Sequence, residues 1–243
     1  MPGSISARRF VVLLAGAVVF RYACFLVMTR MALWNEARPA PRVPDLIIDA
    51  VPFTEWISDW NYRLWLIAFV PVTFVLMAKA PRRAIRFLIT GGLLSVIRGI
   101  CITLTGLGPV RGPDHNVGIA ASAQWEGTWA VASPLGAFVD DRAFVYLTKD
   151  LFFSGHVATT FLLLLYVWPI KPLRYLTIVM HLLVVVSVFF AHLHYTIDVV
   201  GAYAITFCLF VFREGHPAAG LGVDSLARAP QGVSSPRAVR DSA

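Results

Sequence analysis

Charged side chains are scarce in this sequence. Asp, Glu, Lys and Arg make up 14% of the 243 residues, whereas hydrophobic residues make up 58%. A soluble globular domain carries about 25% charged residues. The composition therefore excludes an ordinary soluble domain and predicts a polytopic membrane protein. The net charge of +7 does not indicate a nucleic-acid partner, because the basic residues lie mainly in loops beside apolar runs.

Cysteine and clustered acidic residues are also scarce. There are three cysteines, and all of them fall inside apolar stretches, which argues against a disulfide framework. His192, His194 and Asp198 have a spacing that metal ligation permits, but no acidic cluster accompanies them to complete a site for a hard metal. We therefore expect neither a metal nor another cofactor.

Long hydrophobic runs are present instead, and each approaches the ~20 residues that a bilayer requires. They predict six spanning helices, at 10–28, 62–78, 85–104, 153–168, 173–191 and 195–212. The predicted fold is all-α, a six-helix transmembrane bundle over residues 1–213. The first run is too long for a signal peptide and is interpreted as an uncleaved anchor. Residues 214–243 are rich in Gly, Pro and Ser and are expected to form a disordered cytoplasmic tail.

Lys and Arg in short loops predict the orientation in the membrane. The turn between the second and third helices carries the strongest signal, with Lys79, Arg82, Arg83 and Arg86. Both termini are therefore expected in the cytoplasm, and the longer outer loops on the extracytoplasmic side.

Two polar strings lie at the outer rim of the apolar runs, KDLFFSGH at 149–156 and HLHYTID at 192–198. Ionisable groups inside a membrane are costly, which makes them candidates for function. His194 and Asp198 are four residues apart, so a helix would place them one turn apart. The carboxylate could then fix the imidazole tautomer and leave the other nitrogen free to attack phosphorus. His156 is the candidate proton donor.

The remaining candidates would bind the substrate. Ser154 precedes a glycine at a predicted helix start, where backbone N–H groups favour a phosphate. Cations must balance the phosphate charge. Arg98 in the third helix, Arg111 just beyond it and Lys149 in the first string are available. The candidate substrate-binding residues are Arg98, Arg111, Lys149, Asp150, Ser154 and Tyr195.

These residues resemble the motifs of the lipid phosphatase/phosphotransferase superfamily, and within it those of the sphingomyelin synthase family. Residues 44–49, 98–109, 150–157 and 194–206 are similar to the first to fourth motifs, in the family's order. The resemblance implies six helices and an extracytoplasmic site. It also implies that His194 attacks the donor phosphorus, Asp198 orients it and His156 protonates the leaving diacylglycerol oxygen. The headgroup of phosphatidylcholine or phosphatidylethanolamine would then pass to ceramide.

Three departures from the superfamily's patterns bear on the activity. Lys149 stands where the third motif usually has glycine, and Val188 stands where phosphatases of soluble substrates have arginine. Their Lys-x6-Arg-Pro string is missing as well. The last two absences favour a transferase over a phosphatase. Because the long N-terminal extension of many animal members is also missing, we expect a bacterial-type enzyme of the inner membrane.

Two alternatives remain open at this stage. Water could replace the acceptor alcohol, which would make the protein a lipid phosphate phosphatase. A transporter, a scramblase or an inactive lipid-binding protein would also place ionisable residues in the membrane, here Arg21, Arg98, His181 and Asp198.

Overall fold

The computed structural model describes residues 7–133 and 147–215, and every regular element in these ranges is a helix. The helices are α1 (Ala7–Glu36), α2 (Leu46–Ala50), α3 (Glu55–Lys79), α4 (Pro81–Thr105), α5 (Ala121–Ala132), α6 (Gly155–Val167), α7 (Lys171–Phe190) and α8 (Thr196–Glu214). The all-α prediction is confirmed. The short helices α2 and α5 lie in connecting segments where no helix was predicted. The predicted tail lies outside the described residues from 216 onward, and α8 itself includes Glu214.

Five of the six predicted spans are long and apolar enough to cross a membrane, namely α1, α3, α4, α7 and α8. The remaining predicted span, at 153–168, corresponds to α6, which has only 13 residues. At 1.5 Å per residue it is about 20 Å long, less than the ~30 Å thickness of a hydrocarbon core. Pro81 explains the sharp turn from α3 to α4, since a proline disfavours helix in the residue before it and suits the first helical position.

The irregular segment 149–154 precedes α6 and supplies the length that this helix lacks. Non-helical backbone is tolerated at membrane depth only where the protein satisfies its polar groups. The segment meets this condition through the Lys149 N–H with the Glu36 carboxylate, the Phe153 carbonyl with Arg98, and the Ser154 N–H with the Asp198 carbonyl. The first turn of α6 is thereby fixed among the other helices.

Small residues allow α1 to pack closely along α4. Gly91, Ser95 and Gly99 recur at every fourth position of α4, and a Cβ atom added at Gly99 would lie 3.2 Å from the Met28 Cα atom. Close backbone approach over small residues is a common way for membrane helices to associate. The seam between α1 and α4 forms one wall of the cavity described below.

The core of the bundle surrounds α6. Leu162 and Leu163 of α6 are fully buried, as are Val184 and Val188 of α7 and Phe87 of α4. Inside a bilayer such packing gains mainly from van der Waals contact, because lipid tails are as apolar as the side chains.

Glu214 marks the end of the bundle that is opposite to the polar strings. Its carboxylate pairs with Arg86 at 2.7 Å and accepts a hydrogen bond from the Tyr166 hydroxyl at 2.8 Å. These contacts hold the end of α8 beside the start of α4. The basic turn 79–86 is therefore at one end of the bundle, and both polar strings are at the other.

Candidate active site

A cavity of about 360 Å³ reaches the end of the bundle where α6 and α8 begin. This volume is within the ~300–1,000 Å³ range of ligand-binding pockets. Five of the predicted site residues line the cavity: Arg98, Arg111, Asp150, His156 and His194. The structure thus brings the two candidate catalytic histidines to a single space.

His194 precedes α8 rather than belonging to it, because the helix begins at Thr196. Asp198 is the third residue of the helix, and its carboxylate accepts a hydrogen bond from the Tyr195 N–H at 2.9 Å. The same carboxylate oxygen lies 3.4 Å from Nδ1 of His194. The predicted contact is present, but a helix cap produces it instead of a helical turn between the two residues.

Burial makes the pairing of His194 with Asp198 important for the imidazole. Asp198 is fully buried and His194 nearly so. Within the described ranges neither Nδ1 of His194 nor Oδ1 of Asp198 has a hydrogen-bond partner. A buried carboxylate favours a proton on the nitrogen that faces it. This places the tautomeric proton on Nδ1 and leaves the lone pair of Nε2 available.

His156 is the second residue of α6 and stands against two aromatic rings that line the same cavity. The centroid of its ring is 5.3 Å from that of Trp65 and 6.5 Å from that of Tyr62, both in edge-to-face geometry. No motif in the sequence predicts that these aromatic residues contact the site. They restrict the orientation of the imidazole.

Ser154 does not line the cavity, contrary to the prediction that it contacts substrate. Its hydroxyl caps α6 by accepting a hydrogen bond from the Val157 N–H at 3.5 Å, and its own N–H donates to the Asp198 carbonyl at 3.1 Å. A serine at an N-cap position satisfies a helix N–H that would otherwise be unpaired. Ser154 therefore connects the third motif to the fourth and positions His156.

Arg98 is 7% exposed and holds the segment before α6. Its Nε donates to the Phe153 carbonyl at 2.6 Å, and Nη2 pairs with the Asp150 carboxylate at 3.0 Å and also bonds the Asp150 carbonyl. The guanidinium lies against Gly155, where an added Cβ would be 3.2 Å from Cζ. Any larger residue there would displace the arginine, which explains the glycine before His156. Asp150 orients Arg98 on the cavity wall.

Lys149 does not line the cavity either, although the sequence predicted that it binds phosphate. Its side chain is completely buried, and Nζ donates to the Asp114 carboxylate at 2.7 Å and to the Arg38 carbonyl at 2.8 Å. A buried ammonium requires a charged or hydrogen-bonded partner. Lys149 obtains both from the segments that contain Arg38 and Asp114 and so fixes those segments to the bundle.

Glu36 is a buried carboxylate that the sequence analysis did not identify. It accepts hydrogen bonds from the Thr148 N–H and hydroxyl, the Lys149 N–H and the Asn116 amide. Its partners lie more than 75 residues away along the chain, so no local pattern could reveal it. Glu36 attaches the start of the third motif to the end of α1.

Tyr195 is buried behind the cavity and does not contact it. Its hydroxyl donates to the Gly108 carbonyl at 3.1 Å and accepts a hydrogen bond from the Val43 N–H at 3.2 Å. The predicted role in substrate binding is therefore replaced by a structural one. Tyr195 ties the fourth motif to the second and to Val43, the residue just before the first motif.

Asp45 of the first motif makes a second link to the fourth. Its carboxylate accepts hydrogen bonds from the Thr196 N–H at 2.6 Å and the Thr196 hydroxyl at 2.8 Å, and it also caps α2. Partial burial opposes ionisation of the Asp45 carboxylate. The hydrogen bonds that it accepts, mainly from the N–H groups of Thr196 and Ile48, outweigh this effect. They hold the pKa of Asp45 below its ordinary value. Asp45 thus positions the residues that follow His194.

Two further side chains define the mouth of the cavity. Arg111 is exposed, and its guanidinium lies 3.5 Å from the centroid of the Phe53 ring. His192 lines the cavity and bonds the Val51 carbonyl through Nε2 at 2.8 Å. Since a carbonyl only accepts, Nε2 of His192 carries the proton.

No group of three or more His, Cys, Asp and Glu side chains suited to a metal ion occurs in residues 7–133 and 147–215. In that part of the chain His192, His194 and Asp198 do not assemble into such a group. His192 is instead bonded to a backbone carbonyl, and Asp198 faces the imidazole of His194.

Comparison with known proteins agrees with the motifs. The family model described as PAP2 superfamily C-terminal matches residues 149–215, which include both polar strings. Phosphatidylcholine:ceramide cholinephosphotransferase 1 of Homo sapiens is 28% identical over 213 residues, covering 80% of this chain and 50% of the relative. Its counterpart in Sus scrofa matches to the same extent.

A third relative, sphingomyelin synthase-related protein 1 of Mus musculus, is 24% identical over 202 residues, covering 80% of this chain and 42% of the relative. The chain thus spans about half the length of the curated relatives that it matches. The chain is therefore similar to a phosphatidylcholine:ceramide cholinephosphotransferase and a sphingomyelin synthase-related protein over 80% of its length, and to the PAP2 superfamily over residues 149–215, which supports the resemblance carried by the four motifs.

Proposed function

We propose that this sphingomyelin synthase-like protein transfers a phosphocholine or phosphoethanolamine headgroup from a glycerophospholipid to ceramide through a phosphohistidine at His194. The observation that carries the proposal is the convergence of His194 and His156 on one cavity, with buried Asp198 behind His194. The substrate classes are supported by the name of the human relative, a phosphatidylcholine:ceramide cholinephosphotransferase.

In the first half-reaction, Nε2 of His194 attacks the donor phosphorus, and the bond from phosphorus to the diacylglycerol oxygen breaks. The imidazole gains positive charge as the nitrogen–phosphorus bond forms, and the facing Asp198 carboxylate stabilises that charge. His156, in its protonated form, gives a proton to the leaving oxygen. Diacylglycerol then leaves, and the headgroup phosphate remains on His194.

In the second half-reaction, the now neutral His156 accepts the proton of the ceramide hydroxyl. The ceramide oxygen attacks phosphorus, the nitrogen–phosphorus bond breaks, and His194 returns to its starting form. His156 is then protonated again, as it was before the first half-reaction. One proton donor thus serves both half-reactions, and no cofactor is required.

Arg98 and Arg111 are the cations proposed to balance the phosphate charge. Both line the cavity, and Arg98 is held in place by Asp150 and the Phe153 carbonyl. A positioned guanidinium in a site that excludes water stabilises the charge of the transition state without having to reorganise. Lys149 has no part in this step, because its ammonium is engaged with Asp114.

Val188 favours transfer over hydrolysis. At this position, phosphatases of the superfamily that act on soluble substrates carry an arginine, whereas Val188 is fully buried in the core of the bundle. Purified protein in detergent with headgroup-labelled phosphatidylcholine and ceramide separates the two reactions. We expect labelled sphingolipid as the product. Free phosphocholine or phosphate in its place would mean that water is the acceptor and that the protein is a lipid phosphatase.

We further propose that the site faces the extracytoplasmic side of a bacterial inner membrane. The basic turn 79–86 lies at the end of the bundle opposite to the cavity, and Lys and Arg favour the cytoplasmic side. Labelling of a single cysteine introduced at the exposed Val117 in intact cells tests this orientation. A membrane-impermeant maleimide should label that cysteine without cell lysis.

A further inference from the structure

Arg21 has no role in the proposed transfer, yet its guanidinium lies on the wall of the same cavity. It belongs to the middle of α1, where a charged side chain at the centre of a bilayer costs about 2.5–3.5 kcal/mol. Within residues 7–133 and 147–215, its Nη1 atom is buried and has no hydrogen-bond partner. The rings of Phe69 and Phe87 lie 5.6 and 5.4 Å from Cζ and offset part of this cost.

The backbone of α4 makes room for this guanidinium. A Cβ atom added at Gly91 would overlap Nη1 of Arg21, so a larger residue there would require the guanidinium to move from its present place. The guanidinium is therefore accommodated specifically, and it reaches the cavity instead of extending to the membrane surface.

Arg21 lies deeper in the membrane than Arg98, along the same seam. Arg98 contacts Met28 and Arg21 lies at Gly91, so the two contacts are seven residues apart on both α1 and α4. Seven residues make two helical turns on one face, a rise of about 10 Å. Between the two guanidinium groups the wall is largely apolar, with Phe25 and Leu94.

This separation fits an acylated lipid. An acyl carbonyl oxygen of a phospholipid lies about six bonds from phosphorus, roughly 7 Å when extended, and a hydrogen bond adds about 3 Å at each end. A phosphate held at Arg98 can thus place a carbonyl oxygen within reach of Nη1 of Arg21. The acyl chains beyond the carbonyl would occupy the apolar part of the cavity.

We infer that Arg21 is a binding site for the acyl carbonyl oxygen of the lipid substrate and selects acylated lipids over their ether counterparts. The inference rests on the proposed function for the position of the phosphate. The carbonyl belongs either to an ester of the phospholipid donor or to the amide of ceramide, and the two sources offer the same hydrogen-bond acceptor.

Binding to protein that cannot turn over tests this inference. In a His194→Ala background, lipids compete with a fluorescent phosphatidylcholine in detergent micelles. One pair of competitors is diacyl and dialkyl-ether phosphatidylcholine, and the other is ceramide and an analogue with an ether in place of the amide. We expect the carbonyl-containing lipid of at least one pair to bind about tenfold more tightly, as a hydrogen bond to a charged group allows. The pair that shows the preference identifies the source of the carbonyl.

Arg21→Met should abolish the preference, and Gly91→Ala should reduce it by displacing the guanidinium. Arg30→Met is the matched control on the same helix, because Arg30 bonds Gln124 and does not line the cavity. It should retain the full preference. Arg21→Met should leave the melting temperature unchanged or higher, since it removes a buried Nη1 group that has no hydrogen-bond partner among the described residues.

Equal binding within both pairs, or a preference that survives Arg21→Met, would overturn the inference. The binding measurement needs no turnover. A failure of wild-type protein to move a headgroup would therefore contradict the proposed function without deciding this result.

Discussion

Two histidines of this bundle have opposite surroundings. His181, in the core between α6, α7 and α8, has both ring nitrogens occupied, Nδ1 by the Thr160 hydroxyl at 2.8 Å and Nε2 by the Tyr203 hydroxyl at 2.7 Å. His194 lines the cavity, and within the described ranges it faces only the Asp198 carboxylate, through Nδ1. Both residues are buried, so burial alone does not distinguish them.

The difference supports a structural role for His181 and the catalytic role proposed for His194. An imidazole with two hydrogen-bond partners has no lone pair left for a substrate. His181 is such an imidazole, and its two partners lie on α6 and α8, so it links these helices to α7. An imidazole with a carboxylate on one side keeps a nucleophilic nitrogen on the other. Replacing residues in the two regions should therefore give opposite effects on turnover and stability.

The largest effect on turnover is expected for His194→Ala, since it removes the attacking atom. Headgroup transfer should fall by at least about 10³-fold with little change in melting temperature, as measured with labelled phosphatidylcholine. His181→Ala is the contrasting control. It removes the hydrogen-bond partner of the Tyr203 hydroxyl, whereas the Thr160 hydroxyl still donates to the His156 carbonyl. The variant should therefore lose about 1–3 kcal/mol of stability, with a nearly normal rate for the folded fraction. A comparable loss of turnover in both variants would remove the distinction between the two regions.

Asp198→Asn should reduce turnover by about 10²–10⁴-fold, because a neutral amide neither fixes the tautomer nor stabilises the charged ring. The asparagine oxygen can still accept the Tyr195 N–H, so helix content by circular dichroism should be unchanged. Turnover within about threefold of wild type would mean that the carboxylate serves only as a helix cap.

Asp45→Asn should reduce turnover by about tenfold, because Asp45 positions the residues after His194 and small displacements of catalytic groups are costly.

The same substitution should also change the dependence of stability on pH. The pKa of Asp45 is lowered in the folded protein, so the carboxylate stabilises the fold above about pH 4 and this contribution is lost as the pH falls through the folded value. The melting temperatures of wild type and Asp45→Asn should therefore differ most near neutrality and converge below about pH 4. A constant difference across this range would contradict the role assigned to the carboxylate.

The smallest effect on turnover is expected for Lys149→Met. Its ammonium pairs with Asp114 outside the cavity, so the apparent KM for the donor should stay within about twofold. Stability should fall by about 3–5 kcal/mol, since the Asp114 carboxylate loses its partner, and Asp114→Asn should restore part of that loss. A large rise in KM with normal stability would return Lys149 to the phosphate site.

Part of this architecture could be predicted from the sequence because the signals are local. Apolar runs predicted the spanning helices, and ionisable residues within those runs or at their rim indicated a group of Arg98, His156, His194 and Asp198. The structure brings the first three to the cavity and places Asp198 against His194.

The roles of the other site residues could not be predicted, because they depend on contacts with residues that are distant in sequence. Lys149 and Tyr195 have the residue types of ligand-binding groups, but Asp114 and the Gly108 carbonyl engage them. The contact of His194 with Asp198 also arose from a helix cap, which spacing alone cannot distinguish from a helical turn. Arg21 became a candidate binding residue only when Gly91 was seen to accommodate its guanidinium.

A covalent adduct on His194 tests the central claim most directly. Purified protein is incubated with headgroup-labelled phosphatidylcholine or, in parallel, phosphatidylethanolamine, without an acceptor lipid. It is then quenched in alkali and analysed by peptide mass spectrometry. The mechanism predicts a phosphocholine or phosphoethanolamine adduct on His194, matching the donor, that ceramide discharges. An adduct on His156 instead, or none while the same preparation transfers headgroups, would contradict it.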